Sequence, residues 1–101
     1  MNINCLVSEN GHCITIRVMG RFDFNLVQEF RDAYRELGKP TAEYVIDLRD
    51  TDYMDSSALG MLLHLRKFAG GDHARIRIIN AREGIRKIFT ITCFDKKFTV
   101  E

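Results

Sequence analysis

The sequence predicts an α/β domain, a mixed and mostly parallel sheet of four to five strands with helices packed on it. Two observations carry this. From Asn25 onward, helix-like and strand-like runs alternate, which requires crossover connections and parallel pairing. Before that point two alternating runs are separated by Asn10-Gly11, a pair that favours a tight hairpin turn, so one antiparallel strand is added. With 101 residues and neither a repeat nor a linker, residues 1–101 read as one domain with a modest core.

The elements follow in order. Ile3, Cys5 and Val7 alternate with polar neighbours, and Ile14, Ile16 and Val18 do the same against Thr15 and Arg17. Asn25 to Leu37 changes period: Leu26, Phe30, Ala33, Tyr34 and Leu37 fall on one helical face. Asp23 or Asn25 can cap its start, and Gly38 with Pro40 ends it. "YVIDL", Tyr44 to Leu48, is a nearly continuous apolar run of the central-strand kind. Within it, Asp47 is expected to be paired or to face an edge. A second helix is predicted over Ser57 to Phe68, with Met61, Leu62, Leu65 and Phe68 inward and Gly70-Gly71 as its stop. "RIRIIN", Arg75 to Asn80, is another strand. Asn80 and Glu83 have the spacing of a capping-box variant for a third helix, whose Ile85, Ile88 and Phe89 face inward. Phe98 and Val100 close the chain as a short strand or tail.

Composition excludes several roles. Apolar residues make up 46% and charged residues 29%, as in ordinary water-soluble domains. A formal net charge of +1 gives no reason to expect nucleic acid or an anionic membrane as partner. No apolar run is long enough to insert in a bilayer, and the N-terminus lacks the pattern of a secretory leader, so the expected location is the cytoplasm. Cys5, Cys13 and Cys93 are too scattered for a metal or redox motif and read as small buried thiols.

In open sheets of this kind, sites lie outside the carboxyl ends of the strands. Two segments leave such ends and enter helices, "GRFDF" (20–24) and "RDTDYMDSS" (49–57). If their strands are neighbours, Asp23, Asp52, Asp55, Ser56 and Ser57 share one small surface. A helix N-terminus there favours an anion. A serine at that point can cap the helix while neutral and carry about two negative charges when phosphorylated. A serine hydrolase needs a base, but His12, His64 and His73 lie outside both segments and no G-x-S-x-G elbow is present, so no enzymatic activity is expected. The histidines are equally too scattered for a metal site. Arg82, Arg86 and Lys87 form a basic strip, expected to be solvated.

"MDSSALG", Met54 to Gly60, resembles the Asp-Ser-Ser/Thr-Gly-Leu-Gly loop of the STAS family, and in particular of its single-domain anti-sigma factor antagonists. "GRFD" (20–23) resembles the motif after the family's second strand, and "EGIRKIFTITCFDKKFTV" (83–100) its closing helix and tail. The resemblance implies the STAS fold over nearly the whole chain. It implies that Ser56 is the phosphorylated residue, less so Ser57, and that Asp23, Asp52, Asp55, Ser57, Ala58 and Met61 belong to a surface that docks the partner. The implied partners are an anti-sigma factor that is also a serine kinase, which binds the unphosphorylated form, and a serine phosphatase that restores binding. ATP and metal belong to those enzymes, and no cofactor is expected in this chain. Ala58 stands where the family pattern has Gly, so a partner meets an extra methyl there. The alternative is a non-switching STAS subunit of a lipid-transport ATPase or of a larger signalling assembly, with the same surface as a permanent docking face.

Overall fold

Ile14, Ile16 and Val18 are fully buried, while Cys13, Thr15 and Arg17 between them are only half-covered. That alternation makes Cys13–Val18 (β2) a strand with one face in the core, as period-2 patterning requires. The computed structural model describes residues 2–37 and 42–101. Besides β2, its strands are Ile3–Val7 (β1), Gly20–Phe22 (β3), Glu43–Asp47 (β4), Thr51–Met54 (β5), Ile76–Ile79 (β6) and Thr99–Val100 (β7). Its helices are Val27–Leu37 (α1), Ser56–Phe68 (α2) and Glu83–Ile91 (α3).

The main sheet runs β1-β2-β4-β6-β7, with β1 antiparallel to β2 and the other pairs parallel. This is the mixed, mostly parallel sheet that the element order predicts, at five strands. In register, Ile14 lies beside Tyr44 and Tyr44 beside Ile76, and Ile16, Ile46 and Ile78 form the next row. These rows and Leu48 make the face that the helices cover, each fully buried large side chain contributing about 1.5–3 kcal/mol. Burial also pushes the Tyr44 phenol up to about 12, so it stays neutral in the core. The opposite face is more polar: Arg77 sits between Glu43 (3.5 Å) and Glu101 (3.4 Å).

A run of rings joins the helical layer to the sheet. Phe22 packs on Phe30 (centroids 5.3 Å apart), Phe30 on Tyr34 (5.8 Å) and Tyr34 on Phe68 (5.1 Å), which ties β3, α1 and α2 together. A second run, Phe89–Phe94–Phe98, fastens the C-terminal segment to α3.

Several expectations are corrected. The β1–β2 connection is not a two-residue turn. Ser8 N–H donates to the Cys13 carbonyl, leaving four residues between, and the Asn10 carboxamide accepts from both the Ser8 hydroxyl and the His12 N–H. The side chain of Asn10 thus organises a wider loop, and Gly11 takes the left-handed conformation (φ 74°) that loop needs. Asn80 and Glu83 form no capping box. Arg82 is the N-cap of α3 and offers no side-chain bond, while Asn80, at φ 62°, turns its amide to Asp47 (3.1 Å). Asp47 also accepts the Arg49 N–H, so it is a paired acid as expected. Cys93 is exposed, unlike the half-buried Cys5 and Cys13, and all three are free thiols. The predicted stop of α1 at Gly38 and Pro40 lies outside the described residues.

The largest departure concerns the two segments read as loops. Each contains a strand, β3 and β5, and the two pair in parallel as a separate two-stranded sheet. Their short length and broken alternation hide them in the sequence. Gly20 N–H donates to the Asp50 carbonyl (2.9 Å), and the fully buried Thr51 hydroxyl donates to the Val18 carbonyl (2.7 Å). An Arg17–Asp50 ion pair adds a third tie to the main sheet.

Candidate functional site

β3 and β5 run in register with Arg21 beside Tyr53 and Phe22 beside Met54. One step further, Asp23 and Asp55 end the two strands side by side. Phe22 and Met54 point into the core, so period 2 turns Arg21, Asp23, Tyr53 and Asp55 to the other face.

The two ends have one geometry. Asp23 has φ −135°, ψ −170°, and Asp55 has φ −127°, ψ −172°. The Asp23 carboxylate accepts the Asn25 N–H (3.0 Å), and the Asp55 carboxylate accepts the Ser57 N–H (2.9 Å). The Leu26 N–H donates to the Asp23 carbonyl, and the Ala58 N–H to the Asp55 carbonyl. Asp23 opens a 3-10 turn, Phe24–Leu26, that leads into α1, and Asp55 opens α2 directly. Aspartate suits both places because its short side chain satisfies an orphan N–H and its charge meets the positive end of the helix.

The cap of α2 is therefore Asp55, not Ser56. Ser56 is the first residue of the helix and is exposed, and among the described residues no hydrogen bond engages its hydroxyl. Ser57 is half-buried, with its N–H given to Asp55. Asp52 is exposed on β5. Ala58 (0% exposed) and Met61 (7%) do not belong to the surface, because they fall on the α2 stripe with Leu62 and Leu65 that packs into the core. The expectation that these two side chains meet a partner is corrected accordingly.

Three neighbours were not singled out in the sequence. Arg21 donates from Nε to the nearly buried Asp23 carboxylate (3.2 Å), and its guanidinium carbon lies 3.8 Å from the centre of the Tyr53 ring. Phe24, the structural counterpart of Ser56, is 73% exposed. The matching triplets Arg21-Phe22-Asp23 and Tyr53-Met54-Asp55 were the available signal, since both place an exposed residue two before a cap. A shallow cavity of about 350 Å³ lies alongside, lined by Asp52, Tyr53, Met54, Arg82, Ile85 and Ile88 among others.

A family model described as "Mlab, STAS domain" matches residues 5–100. The chain belongs to the STAS domain family. A STAS-domain containing protein of Pseudomonas aeruginosa (strain UCBPP-PA14) is 47% identical over 100 residues, covering 99% of each chain. The anti-sigma-B factor antagonist of Bacillus subtilis (strain 168) is 29% identical over 92 residues, 91% of this chain and 84% of that one. The solved structure of the Bacillus cell fate determinant SpoIIAA in its phosphorylated form superposes with a TM-score of 0.69 at 16% identity, covering 98% and 90% of the two chains.

In this STAS domain His12, His64 and His73 are all exposed, on the β1–β2 loop, on α2 and in the 3-10 turn after α2 respectively. Arg82, Arg86 and Lys87 are exposed on the start of α3. Among the described residues no group of three or more His, Cys, Asp or Glu could hold a metal ion, and no helix is long and apolar enough to cross a membrane.

Proposed function

We propose that this STAS domain is an anti-sigma factor antagonist whose docking is controlled by phosphorylation of Ser56. The observation that supports it most is the Ser56 hydroxyl: exposed, free of hydrogen bonds among the described residues, and relieved of capping by Asp55. The matched relative from Bacillus subtilis is by name an anti-sigma-B factor antagonist, and SpoIIAA, a chain of this fold, takes a phosphorylated form.

In this reading the unphosphorylated rim of Asp52, Asp55, Ser56 and Ser57, with Arg21 over the nearly buried Asp23 and the exposed side of α2, binds an anti-sigma factor that is also a serine kinase. The kinase brings ATP and metal. Ser56 Oγ attacks the γ-phosphorus, a new O–P bond forms, the bond to the β–γ bridging oxygen breaks, and the hydroxyl proton leaves to a base of the kinase. The product carries about two added negative charges beside three carboxylates. A partner fitted to the unphosphorylated rim then meets repulsion and a desolvation cost of a few kcal/mol, which lowers affinity by orders of magnitude. A serine phosphatase reverses the step. The chain itself binds and does not catalyse, and it works in the cytoplasm.

The competing reading keeps the same rim as the permanent docking face of a non-switching subunit, in a lipid-transport ATPase or a larger signalling assembly. Phosphosite mapping on protein recovered from its own cells separates the two. Phosphate on Ser56 that rises and falls with growth condition is the expected result, and its absence under every condition favours the permanent subunit. Ser56→Ala is expected to bind the partner at all times and Ser56→Asp to bind poorly, and equal affinities count against the switch.

A further inference from the structure

Arginine carries five N–H donors, and Arg21 uses one of them. Its Nε is held by Asp23 at 3.2 Å, and its guanidinium plane is supported by the Tyr53 ring at 3.8 Å. Among the described residues the four donors on Nη1 and Nη2 have no partner. A fork fixed at Nε by a carboxylate and backed by a ring, with both terminal nitrogens free, is prepared for bidentate pairing with a tetrahedral oxyanion. The side chain is 64% exposed, so such pairing does not require the core to open.

Its position supplies the oxyanion's identity. Tyr53 is three residues before Ser56, a span of at most about 11 Å between Cα atoms. Ser56 starts a helix whose N-terminal dipole favours the same charge. From this arrangement we infer that Arg21 is the internal counter-ion of phosphorylated Ser56, receiving the phosphoryl oxygens on Nη1 and Nη2 while Asp23 keeps Nε. This rests on Ser56 being the phosphorylated residue. It also deepens the switch: phosphorylation adds negative charge and at the same time withdraws a free cationic fork from the docking rim. A carboxylate at position 56 is shorter and carries one charge, so Ser56→Asp is expected to reproduce only part of the effect.

The test needs neither kinase nor partner. Phosphoserine is installed at position 56 during synthesis of the full chain, and the phosphate's second ionisation, near 6 for a free phosphoserine, is followed by phosphorus NMR. A paired cation stabilises the dianion, so Arg21→Gln is expected to raise this pKa by about half a unit or more relative to the parent. Arg21→Lys keeps the charge without the fork and is expected to fall between the two. Arg82→Gln, which removes the exposed arginine across the neighbouring cavity, is expected to leave the titration unchanged. Thermal unfolding of each variant confirms that it is folded. A titration identical in the parent and Arg21→Gln overturns the assignment, as does an equal shift in Arg82→Gln. A partner that binds both phosphorylation states alike would instead sink the switch, and it would leave the phosphorus result standing.

Discussion

At Asp23 and at Asp55 the chain does the same thing twice: a short strand ends, an aspartate caps, and a helical turn begins on the same dihedral angles. The difference lies in what the shared backbone carries. The first position after the cap is Phe24 in one and Ser56 in the other, both exposed. The third is Leu26 in one and Ala58 in the other, both buried. The buried positions answer to packing, and the exposed ones are free to answer to a partner. One junction thus presents a ring and its neighbour a hydroxyl, on one shared backbone frame.

That comparison can be broken most severely from beneath. Phe22 and Met54 are the inward residues just before the two caps, and Phe22 also starts the aromatic run to Phe68. Phe22→Ala is expected to cost about 3–5 kcal/mol and Met54→Ala about 2–5, with Phe22→Ala the larger, as read from denaturant midpoints. Equal, small losses would mean that β3 and β5 are not seated on the core.

Removing the caps is the next largest step. Asp55→Ala and Asp23→Ala are each expected to cost about 0.5–2 kcal/mol, because each leaves a helix-start N–H unsatisfied. If the junctions are equivalent, Asp55→Asn and Asp23→Asn recover most of that loss in both. Recovery at only one would show that the other aspartate acts chiefly as a charge, with Arg21 the obvious reason at position 23.

The smallest effect is the most informative about role. Ser56→Ala and Phe24→Ser lie on the exposed positions and are expected to change stability by no more than about 0.5 kcal/mol. A larger loss from Ser56→Ala would reveal a structural bond for that hydroxyl and weaken the case for a free switch.

Much of this frame was legible in the sequence. Long periodic runs such as Ile14–Val18 and the α2 stripe of Leu62 and Leu65 announce themselves, because burial of one face imposes the period. Their order gave the mixed sheet and brought Asp23 and Asp55 to one end of it. β3 and β5 were not legible, since three and four residues are too few to display a period and their pairing depends on ties such as Thr51 to Val18. Ala58 and Met61 were assigned to the docking surface on the resemblance, although the α2 stripe already turned Met61 inward, because proximity in sequence to Ser56 says nothing about which side of a helix a residue occupies. The Arg21–Tyr53 contact could not be read without the register that sets the two strands side by side.

The central claim is that charge on one exposed oxygen decides docking. Calorimetry of the full chain with its cognate anti-sigma factor, unphosphorylated and with phosphoserine at position 56, tests it directly. A loss of affinity of about 100-fold or more, equivalent to about 2.7 kcal/mol, is the predicted result. Affinities that agree within about twofold would contradict it.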